Sequence, residues 1–173
     1  MPRLNTTLIT TTLAFVGAFL TTPAFSADLG TPQGEIVLTV TGSIESTNQG
    51  DAAVFDLEML EALPSETYKT TTIWTDDVQV LTGVPLFDFL ESIGAEGSYI
   101  TATAVNDYAI DIPINEMKSS RALMAYHNFG EPMSLRDKGP LWIVFPFDEG
   151  PEYQTEINYS RSIWQLSKIE VVK

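Results

Sequence analysis

The sequence predicts a mixed α+β domain, mostly β with a few short helices. Three observations point there: β-branched and alternating segments outnumber helical ones, Gly, Pro and Asn-Asp signals separate them, and no repeat or low-complexity tract interrupts the pattern.

The chain opens with Arg3 ahead of an apolar, threonine-diluted stretch at 8–20, then small residues Ala24 and Ser26, which together read as a secretory leader over 1–26 cleaved before Ala27. The apolar stretch falls short of the ~20 residues a spanning helix needs, and no later run is longer, so no membrane insertion is expected after cleavage. Residues 27–34 form a Gly/Pro-punctuated lead-in. Residues 35–41 alternate as a strand, and 42–51 have the polar, Gly-bearing composition of a loop. In 53–63, Phe55, Leu57, Leu60 and Leu63 fall at mostly helical spacing and Pro64 stops the helix.

Threonine-rich 68–74 reads as a strand continuing towards 78–81, and 82–85 as a turn. Residues 86–93 form a short helix with Leu86, Phe89, Leu90 and Ile93 on one face, stopped by Gly94. Residues 99–105 and 108–112 make a hairpin about the Asn106-Asp107 turn. Residues 114–120 read as a helical turn or irregular, 122–126 as a strand, and 127–132 as a loop. After the charged, turn-rich 133–140, the apolar run 141–147 suits a buried strand. Residues 148–159 read as an acidic loop, and 161–172 close the domain with one or two strands.

Cleavage leaves 147 of the 173 residues, enough for one domain that buries about 68–70% of its unfolded surface. The leader carries Arg3 and no acidic residue, so the net charge of −14 becomes −15 in the mature chain. Such a balance argues against nucleic acid and anionic membranes as partners, because phosphate binding depends on Lys and Arg releasing counterions. The absence of cysteine excludes thiolate nucleophiles, Cys-ligated zinc, iron–sulfur clusters and Cys-attached haem. A single histidine, His127, excludes a histidine-rich metal site.

Several pieces, in order, carry a likeness: Gly83-Val84-Pro85-Leu86 followed by Phe87-Asp88-Phe89-Leu90; Ala104-Val105-Asn106-Asp107-Tyr108 followed by Ile112-Pro113; Leu123-Met124-Ala125-Tyr126 with Asn128 and Gly130; the run from Arg136 to Trp142; and Trp164-Gln165-Leu166. This set resembles the small exported members of the sulfite-oxidase-type molybdopterin-binding family over most of 35–172. The resemblance implies a compact, mostly β domain whose loops close over a pterin-bound molybdenum in the family's enzymes. Those enzymes place a cysteine just before the G-x-P-L turn, where this chain has Thr71. An alcohol stays protonated near neutral pH and lacks the soft sulfur that donates strongly to such a metal.

Arg136, Lys138 and Arg161 are the cations expected to flank a pocket, where a guanidinium fork matches carboxylate or phosphate. In an acidic chain the favoured reading is that they pair with neighbours such as Asp137, Asp148 or Glu149. Asn106, Asp107 and Tyr108 offer amide, carboxylate and phenol groups to a pocket rim, or form a self-capped turn. Of Trp74, Trp142 and Trp164, two sit in strand-like runs suited to core packing, and Trp74, beside Thr75-Asp76-Asp77, is expected at an opening. His127 is either a metal, haem or proton-relay residue or an ordinary loop histidine. Asp76-Asp77 and Asp148-Glu149 lack the spacing of an EF-hand, and no nucleophile elbow or phosphate loop accompanies them.

The expectation from these residues is a periplasmic domain of molybdopterin-binding-like fold without molybdenum catalysis, which binds a small ligand or a periplasmic or membrane protein partner, as an accessory to a sensor or redox system. The alternatives are a molybdopterin-dependent oxidoreductase without cysteine ligation of the metal, and a docking module recognised through its acidic surface.

Overall fold

Alternation of apolar and polar residues places Leu38 and Val40 inward along β1 (Ile36–Gly42), the first element of a computed structural model that describes residues 29–173. The leader read over 1–26 and its cleavage point lie outside the described residues. After the loop comes β2 (Ala53–Asp56), buried along its whole length, and then α1 (Leu57–Glu61). The helix expected over 53–63 is thus halved. Its first residues pair antiparallel with β1, Leu38 opposite Phe55, and Asp56 caps the shortened helix by accepting the Met59 N–H at 2.9 Å.

The threonine-rich strand is β3 (Glu66–Thr70). It ends earlier than expected, and the chain bends through 71–78 before β4 (Gln79–Pro85). The stretch read as a turn at 82–85 is therefore strand. Gly83 allows β4 to lie against β7 (Leu123–Asn128), since a Cβ there would collide with the carbonyl oxygen of Met124. Pro85 then leads into α2 (Leu86–Ser92), whose Leu86, Phe89 and Leu90 are buried as expected. The hairpin of β5 (Tyr99–Ala104) and β6 (Ala109–Pro113) closes about Asp107, whose φ of 63° and N–H donation to Ala104 O at 3.0 Å make the turn. α3 (Ile114–Ser120) precedes β7, which runs two residues beyond the strand expected to end at 126 and turns into β8 (Glu131–Pro132).

The apolar run 141–147 is buried throughout, but only β9 (Trp142–Val144) is strand, and a 3-10 turn begins at Phe147. Residues 148–159, read as a loop, contain most of α4 (Glu156–Arg161), capped by Thr155 Oγ1 accepting the Asn158 N–H at 3.1 Å. One long strand, β10 (Leu166–Val172), closes the chain.

These strands form two five-stranded sheets. The first runs β2-β1-β10-β5-β6, parallel only between β1 and β10. The second runs β3-β4-β7-β8, with β9 also on β7. One core joins them: Leu38, Val40, Ile100 and Ile169 from the first sheet meet Leu81, Leu123, Trp142 and Val144 from the second, with Phe89 and Met117 from the helices. The molecule is a sheet-dominated α+β domain with four short α-helices among the described residues, none long and apolar enough to cross a membrane.

Candidate functional site

The site forms where the chain passes from one sheet to the other. Before β10 joins the first sheet, Trp164 bridges Trp142 of β9, and Ile143 N–H donates to Ile163 O at 2.9 Å. The crossing bends at Gln165, with φ 55°. Gln165 N–H donates to Lys138 O at 2.9 Å, its carbonyl accepts Val105 N–H at 2.9 Å, and its Nε2 donates to Leu135 O at 2.8 Å. Lys138, itself at φ 73°, is thereby locked to the same corner. Left-handed backbone costs a non-glycine residue roughly 1 kcal/mol or more, which these three hydrogen bonds offset.

Trp74 approaches the corner from the bend after β3. Thr72 Oγ1 accepts the Trp74 N–H at 3.2 Å and lies 2.8 Å from Thr75 Oγ1, a local turn that fixes the indole. Its ring packs edge-to-face with Trp164 (5.6 Å), Tyr159 (5.9 Å), Trp142 (6.2 Å) and Phe147 (6.2 Å). Such pairs each add about 0.5–1.5 kcal/mol beyond area burial. Where this cluster meets solvent there is a cleft of ≈ 310 Å³, lined by Trp74, Ala104, Asn106, Tyr108, Tyr159, Ser160, Ser162, Ile163 and Trp164. Trp74, expected at an opening, is among the residues that line it. The β5–β6 turn supplies Asn106 and Tyr108, and Asn106 Oδ1 accepts the Tyr108 N–H at 3.2 Å.

Of the candidate residues, Trp74, Asn106 and Tyr108 line one cleft, and Lys138 borders it with Nζ 5.4 Å from the Trp164 ring centre and 5.6 Å from that of Trp142. Asp107 forms the exposed turn tip and does not line the cleft. Arg161, at the end of α4, pairs with Glu116 at 2.7 Å across a neighbouring hollow, rather than with Asp137, Asp148 or Glu149. Arg136 is exposed on the 3-10 turn at Leu135–Asp137 and has no ion pair among the described residues. His127 stands apart in β7, its Nε2 2.8 Å from Glu61 Oε1. That atom is buried and not aligned for a hydrogen bond. Glu149, offered as a partner for these cations, binds Arg121 instead. Arg121 also lies over the Tyr68 ring, and its carbonyl accepts the Tyr68 hydroxyl at 2.9 Å. Burial raises the Tyr68 pKa far above the ordinary phenol value, so this hydroxyl remains a donor.

Tyr159, Ser160, Ser162 and Ile163 were missed because they lie at the end of a stretch read as acidic loop or just after it. The one available sign was the Thr155-to-Asn158 spacing of a capped helix. Trp164 was assigned to core packing, yet it is 38% exposed at the rim.

The chain matches no family model and no curated protein.

The residues present do not fit a molybdenum centre. At Thr71, the position where the resemblance expects a cysteine, N–H and Oγ1 both donate to the Asp148 carboxylate, at 2.6 and 2.5 Å, and Thr70 Oγ1 accepts the Asp148 N–H at 3.1 Å. A hydroxyl engaged in this way donates its proton to a carboxylate, and its hard oxygen is no substitute for the soft sulfur that would hold such a metal. No group of three His, Cys, Asp or Glu side chains is gathered to hold a metal ion among the described residues.

Proposed function

We propose that this chain is an exported, periplasmic, non-catalytic binding domain on a molybdopterin-binding-like scaffold, and that the aromatic cleft at the crossing between its sheets holds a small ligand. The observation that carries the reading is the Trp74 cluster: five rings converge, yet the indole of Trp164 and the phenol side of Tyr108 are left open to solvent at 38% and 51% exposure. Pockets that recognise small molecules combine apolar, aromatic walls with a few placed polar groups, and this cleft has Asn106, Ser160 and Ser162 in that role. The closed Thr71–Asp148 contact supports binding without molybdenum chemistry.

Protein purified from its native host tests the reading by elemental analysis and by pterin fluorescence after oxidative denaturation. The expected result is neither molybdenum nor pterin. Stoichiometric molybdenum would establish the oxidoreductase alternative and end this one.

A further inference from the structure

Resting on the reading of the cleft as a ligand site, we infer that its ligand is a methylated ammonium cation.

The walls stand at right angles. Trp74 makes interplanar angles of 81° with Trp164 and 88° with Tyr159, so a flat ligand can lie against only one wall. A rounded group reaches two π-faces at once, and a quaternary ammonium has that shape, with a charge that ring quadrupoles attract. The two serines point the same way. Ser160 Oγ donates to Ile157 O at 2.8 Å and Ser162 Oγ to Asn158 O at 2.7 Å, so both hydroxyl protons are used within α4 and its exit. What these oxygens retain is lone pairs. No cationic side chain among the described residues lines the cleft, and a net charge of −14 favours the approach of cations over anions. Lys138, outside the lining, already has its ammonium within cation–π reach of Trp164 and Trp142.

The test is calorimetric titration of the mature chain with choline, with its uncharged carbon isostere 3,3-dimethyl-1-butanol, and with indole as a planar probe. Choline binds about tenfold more tightly than the isostere, in line with a desolvated cation–π contact. Trp164→Ala and Tyr108→Ala, both at exposed positions, each abolish that preference while circular dichroism stays unchanged. Lys138→Met removes a like charge and strengthens choline binding several-fold, whereas an anion-binding cleft would lose affinity in the same variant. Equal binding of choline and isostere, or binding of indole alone, overturns the cation assignment and leaves the ligand-site reading standing. Failure of all three probes overturns both. Sedimentation with phosphatidylcholine vesicles distinguishes the sources: Trp164-dependent co-sedimentation assigns the cation to a lipid headgroup, and choline binding without it assigns a free solute.

Discussion

Asp56 accepts three backbone N–H groups from two pieces of chain through one carboxylate. Oδ2 accepts the N–H groups of Gln33 and Gly34 at 2.7 and 2.8 Å, while Oδ1 caps α1. These bonds, that from Gly34 foremost, lower its pKa below the ordinary 3.8. A depressed native value means the contribution is present above the unfolded value and is lost as pH falls through the native one. Asp56→Asn, whose amide has one accepting oxygen, is therefore expected to melt at lower temperature at pH 7, with the gap narrowing below pH 3.8 in thermal scans. Thr71 makes a smaller contribution. Its bonds to Asp148 are exposed, so Thr71→Val costs at most about 1 kcal/mol in urea titration. A larger loss would contradict its assignment as a surface latch.

At the scale of elements, Gly83 and Thr155 test how the site is positioned. Gly83→Ala forces β4 away from the Met124 carbonyl, and overpacking of this kind costs about 1–3 kcal/mol or more by denaturant titration. Thr155→Ala removes the α4 cap at a cost of about 1 kcal/mol. Because Tyr159 and Ser160 lie on that helix, ligand affinity is expected to fall further than stability alone explains, as calorimetry would show. The alternating strands β1 and β5 and the amphipathic α2 could be read from spacing, because each has one wet and one dry face. β2 could not: buried on both faces, Ala53–Asp56 lacks an alternation to read, and Leu57 and Leu60 extended the helical pattern over it. The strand 82–85 was hidden for another reason. Gly83 and Pro85 are turn-formers by habit, yet here one permits close strand contact and the other starts a helix.

For the whole molecule, the cleft depends on segments distant in sequence: Trp74, the β5–β6 turn, α4 and the crossing at Trp164. Trp74, Asn106 and Tyr108 were recognisable singly, as an aromatic beside polar residues and as a turn. Their convergence follows from sheet order, which places β10 beside β5 while its preceding residues pair with β9, and no local spacing encodes that. Arg136, Arg161 and His127 were chosen for their chemistry, and the fold leaves all three out of the cleft lining. The central claim is that this crossing holds a small molecule against Trp164. Native mass spectrometry of protein from its own host measures it most directly: the wild-type chain is expected to carry one low-mass adduct that Trp164→Ala lacks. An adduct containing molybdenum, or one the variant retains undiminished, would contradict the account.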